Sequence, residues 1–104
     1  MRRAAKIDLV QPEVVQALLD AGCTVQSMAP LGAGCPDLLC GFRGIDFTVE
    51  TKTEEYAKDH PDVLHRQRRW AACWAGRKPV RVTNRREALA LVAHLIIEME
   101  PPVV

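Results

Sequence analysis

No stretch of this sequence approaches the roughly 18 to 20 consecutive apolar residues that a bilayer-crossing helix needs. The opening residues Met1 to Asp8 lack the apolar core of a secretory signal. Together these absences predict a cytoplasmic protein with no membrane partner. The four cysteines, Cys23, Cys35, Cys40 and Cys73, include no C-x-x-C pair, and His60, His65 and His94 do not fall at zinc-finger spacing. A zinc site is therefore not expected, and the thiols read as reduced, buried small hydrophobes. There is no internal repeat and no low-complexity linker, and 104 residues leave little material for a second domain. A composition that is 48% hydrophobic and 26% charged is that of one globular domain, here taken as residues 1–104.

The net charge is only +1, which argues neither for nor against a polyanionic partner. Its distribution is more informative. The segment from His65 to Arg86 holds eight of the fourteen basic residues and no Asp or Glu, while Glu54, Glu55, Asp59 and Asp62 lie just before it. On charge alone this basic run is either a solvated face or a phosphate-binding surface.

Periodicity divides the chain into seven elements. Asp8 with Gln11 resembles a capping box, and Val14, Val15, Leu18 and Leu19 form an apolar stripe that Gly22 ends, which predicts a helix from about Leu9 to Ala21. Cys23 to Met28 reads as a strand and Ala29 to Cys35 as a loop. Two extended runs, Pro36 to Gly41 and Ile45 to Lys52, flank the turn-like Phe42-Arg43-Gly44 and predict a hairpin. Thr53 to Asp62, polar and interrupted by His60-Pro61, reads as a surface loop. Leu64, Gln67, Trp70, Ala71 and Trp74 share one side of a helix from about Asp62 to Ala75, with both tryptophans assigned to the core. Val80 and Val82 mark a short strand, and Asn84 with Glu87 opens a last helix that ends before Pro101. The order α-β-β-β-α-β-α implies an α/β fold, a small mixed sheet flanked by helices.

The hairpin concentrates chemistry. With its turn near Arg43, Asp37 faces the region of Val49 and Glu50. Glu50 and Lys52 are two residues apart on one strand and so share a face, roughly 6 to 7 Å apart. Two carboxylates and a backbone carbonyl such as that of Thr51 suit Mg²⁺ or Mn²⁺, which also accept waters and a phosphate oxygen. Such a cation acidifies a water and polarises a phosphoryl group, and a neighbouring ammonium stabilises developing negative charge. These are the requirements of phosphodiester hydrolysis.

The run Gly34-Cys35-Pro36-Asp37-Leu38-Leu39, then Glu50-Thr51-Lys52 thirteen residues after Asp37, then Gln67 on the next helix, resembles the PD-(D/E)XK nuclease superfamily. It is most similar to the small VRR-NUC-type members, and the resemblance spans most of the chain. It implies a restriction-endonuclease-like order of elements and a divalent-metal-dependent endonuclease acting on DNA, including branched forms such as flaps or junctions. It also implies Asp37, Glu50, Lys52 and Gln67 as catalytic residues, and Asp37, Glu50, Thr51 and Glu13 around Mg²⁺ or Mn²⁺. The basic run then becomes a phosphate-binding surface, with Arg66, Arg68, Arg69, Arg77 and Lys78 as its contacts. A chain this short has little surface with which to embrace branched DNA, so a homodimer is expected. Two other readings compete: a module that keeps the fold and binds nucleic acid without cutting it, and a protein-interaction domain with an incidental charge patch.

Overall fold

A computed structural model describes residues 10–101. Helix α1, Val10–Asp20, buries Val14, Ala17 and Leu18 on one side. It ends in a Schellman-type turn: Gly22 takes φ +98°, and the Cys23 amide donates to the Leu18 carbonyl. The Asp8 cap and Leu9 start expected from the sequence lie outside the described residues. Strand β1, Thr24–Ser27, leads through a 3₁₀ turn at Ala29–Leu31 into the hairpin of β2, Leu38–Phe42, and β3, Ile45–Glu50. Arg43 and Gly44 both have positive φ, the primed turn whose twist matches a two-residue hairpin.

The crossover after β3 differs from the expected loop. Glu54–Asp59 is a short helix, α2, with Thr53 as its N-cap: the Tyr56 amide donates to the Thr53 hydroxyl. Helix α3, Pro61–Cys73, follows at once, with proline in its first turn where no amide is needed. The two-residue strand β4, Val80–Arg81, precedes helix α4, Arg85–Met99, which Asn84 caps as expected by accepting from the Glu87 amide. The order is therefore α-β-β-β-α-α-β-α.

The sheet runs β1-β2-β3-β4, antiparallel except for the parallel β3–β4 pair. Leu38 pairs with Val49, Cys40 with Phe47 and Phe42 with Ile45, so these side chains share one face. With α1 and α4 they form the hydrophobic core, joined by Val82, Ala88, Val92 and Leu95. The register also puts the residues between them, Leu39, Thr48 and Glu50, on the opposite face, the one towards α3.

Two expectations about the core are corrected. Trp74 lies just past the end of α3 and is 46% exposed, and no residue of α3 is fully buried. The helix turns Leu64, Gln67 and Ala71 towards the sheet, leaving the tryptophans to one side. Cys23 and Cys40 are buried, whereas Cys35 is half-buried and Cys73 exposed. No described helix is long and apolar enough to cross a membrane.

Candidate active site

The hairpin register extends one step beyond Leu38 and Val49 to bring Asp37 against Glu50. Both are almost wholly buried, at 7% and 6% exposure, with their carboxyl groups close enough to shift each other's titration. Asp37 is held from three sides. The Thr51 amide and hydroxyl both donate to its Oδ2, at 3.0 and 2.8 Å, and Lys52 Nζ lies 3.3 Å from its Oδ1. Thr51 thus meets the site through its amide and hydroxyl, which orient Asp37. Lys52 also lies over the Tyr56 ring, 5.9 Å from its centroid, so α2 flanks the ammonium.

The two carboxyl groups differ electrically. Burial pushes Glu50 up to about 8, with the hydrogen bond to Asp37 and its charge adding to the effect. Burial also disfavours the Asp37 anion, but its bonds to Glu50 and Thr51 and the charge of Lys52 outweigh that and hold it below the usual carboxylate value. In the metal-free pair the charged form is thus disfavoured on Glu50 and favoured on Asp37. Glu50 Oε1 remains buried with no hydrogen-bond partner, a costly state for a polar atom.

Asp37 and Glu50 floor a cleft between the sheet and α3. Its two compartments, about 220 and 160 Å³, share Gly34, Glu50 and Gln67. Gln67 lines the same compartment as Asp37, Glu50 and Lys52. Gly34, at φ +83°, sits where an added Cβ would meet the Arg66 backbone, so this glycine sets the closeness of α3.

One member of the expected set does not assemble. Glu13 is exposed, accepts from the Arg85 amide at 2.9 Å and does not line the cleft. It caps the start of α4. The basic residues also divide. Arg66 and Arg68 line the cleft and Arg69 an adjoining depression. Arg77 pairs with Glu98 at 3.3 Å, and the Lys78 ammonium donates to the Ala71 and Trp74 carbonyls at the end of α3.

Arg81 was missed. The parallel register places it beside Glu50, its guanidinium donates to the Lys52 carbonyl, and Nη2 donates to Gln67 Oε1 at 3.3 Å. It links the strand, the segment after β3 and α3 around the cleft. Its place between Val80 and Val82 was a signal that it points away from the core, but not which strand it would join.

Among the described residues no group of three or more His, Cys, Asp or Glu side chains could hold a metal ion. The donor set is two buried carboxylates, one with an unpartnered oxygen. That composition fits Mg²⁺ or Mn²⁺, which bind through one or two carboxylates and keep several waters. Comparison with family models, with curated proteins and with solved structures finds no match.

Proposed function

We propose that the chain is a small restriction-endonuclease-like domain that hydrolyses DNA phosphodiester bonds with Mg²⁺ or Mn²⁺. The supporting observation is the buried Asp37–Glu50 pair with Lys52 beside it, opening into a cleft lined by Arg66 and Arg68. When bound there, a divalent cation supplies Lewis-acid polarisation of the phosphoryl group and a more acidic water. Asp37 and Glu50 would hold it, both as carboxylates.

The remaining residues position and compensate charge. Thr51 fixes the Asp37 rotamer through two bonds to one oxygen. Lys52 stabilises the negative charge that grows on the phosphoryl oxygens as water adds to phosphorus and the P–O ester bond breaks. Solvent takes the proton from the attacking water, and a solvent water protonates the departing sugar oxygen. Arg66 and Arg68 hold flanking phosphates, and Arg81 keeps Gln67 facing the pair.

Labelled linear, flapped and four-way-junction DNA, incubated with Mg²⁺, Mn²⁺ or EDTA, tests this reading. Cutting should require the metal and fall about 10²- to 10⁴-fold in Glu50→Ala and in Lys52→Ala. Cutting that persists in EDTA, or that both variants retain, refutes it. DNA binding without cutting under either metal would instead favour the non-catalytic module.

A further inference from the structure

Beside the cleft, α3 carries a second surface. Arg66, Arg69, Trp70 and Cys73 recur at three- and four-residue spacing and so form one stripe of the helix. With Ala33 from the loop before β2 they line an open depression of about 370 Å³. The Trp70 and Trp74 rings stack on each other, centroids 4.6 Å apart and planes 13° from parallel. Ala33 and Arg66 line both this depression and the cleft compartment that holds Asp37, Glu50 and Lys52. The two spaces therefore adjoin at Ala33 and Arg66.

We propose that this depression receives an unpaired base of single-stranded DNA whose backbone runs into the cleft. This deepens the nuclease reading, and rests on it, by assigning the substrate an unpaired stretch next to the phosphate that is cut. The occupant follows from the chemistry of the walls. An indole beside arginines, with no acidic side chain lining the space, suits a nucleic-acid base and the phosphates on either side of it. A base inside a duplex has both faces covered by its neighbours, so only an unpaired one can stack here. Arg66 is not committed elsewhere: its pair with Asp62, at 3.4 Å, is between side chains 50% and 73% exposed and so contributes little.

The chain offers its own reporter, because Trp70 and Trp74 are its only tryptophans. In EDTA, to block cutting, oligothymidylate should quench their fluorescence, whereas an abasic strand of equal length and an equivalent duplex should not. Trp70→Leu should weaken single-strand binding about 5- to 150-fold, with Trp70→Phe restoring much of it. A second readout needs no variant. Cys73 is the one exposed cysteine and lines the depression, so oligothymidylate, but not the abasic strand, should slow its alkylation by N-ethylmaleimide.

Equal quenching by the abasic strand, or none by either, overturns the inference. So does quenching or Cys73 protection that follows protein concentration without DNA, which would mean that a second copy covers the platform. The two readings fail separately. Metal-dependent cutting without base-dependent quenching removes the platform alone, and base-dependent quenching without cutting removes the nuclease alone.

Discussion

Asp37, just before β2, and Glu50, the last residue of β3, are buried side by side, where burial disfavours charge on Glu50. Lys52 and Arg81 are the cations nearest them from the neighbouring segments, and Glu54 adds an acid at the cleft edge. The sign of the pH dependence follows. Glu50 has its folded-state pKa raised from 4.5 to about 8, so between those values the folded chain binds more protons than the unfolded one. Stability of the metal-free protein then falls as pH rises through that window. Asp37 is shifted the other way, so its contribution is present above its unfolded value of 3.8 and is lost as pH falls through its lower folded value. Thermal unfolding in EDTA should therefore give a Tm that declines from about pH 5 to about 8, and Glu50→Gln should flatten the decline. A wild-type Tm that climbs across this range would contradict the upward shift of Glu50.

At the scale of elements, two glycines with positive φ separate backbone strain from crowding. Gly44 in the hairpin turn has no atom within 4 Å of where a Cβ would stand, so Gly44→Ala should cost only about 1 to 2 kcal/mol for the left-handed conformation. At Gly34 the same change adds a collision with the backbone of α3, for about 1 to 3 kcal/mol more. It should also move Arg66 and Gln67 from the cleft. Urea unfolding alongside cleavage rates should show Gly34→Ala losing both stability and activity and Gly44→Ala keeping its activity. Equal losses would mean that α3 is not positioned there. This contrast also explains what could be read in advance. The hairpin was legible because a two-residue turn and strict alternation fix register, and register alone brings Asp37 to Glu50. Helix α2 was not, because six residues that bury only Ala57 leave almost no periodic trace. The place of Arg81 was hidden because two residues cannot announce a parallel partner. Trp74 was misjudged because the helix ends at Cys73, so the stripe that Leu64, Gln67 and Ala71 turn to the sheet does not extend to it.

For the whole molecule, a net charge of +1 conceals a division of labour among the cations. Arg68 lines the cleft, whereas the Lys78 ammonium satisfies two carbonyls at the end of α3. Arg68→Ala should therefore lower the slope of log affinity against log salt for single-stranded DNA by about 0.7. Lys78→Ala should leave that slope alone and cost about 1 kcal/mol of stability in urea unfolding. Equal changes in slope would make Lys78 a phosphate contact after all. The sheet order carries a further consequence, one of timing. Strands β1, β2 and β3 are neighbours in sequence and in space, so the acidic pair can meet as soon as the hairpin closes. Strand β4 pairs only after α2 and α3 have crossed back, a longer closure that is slower to form. In a chain made from its N-terminus, both carboxylates and Lys52 are synthesised before any arginine of the cleft. The proposed metal-holding residues thus depend on contacts local in sequence, and the arginines of the cleft on the later closure.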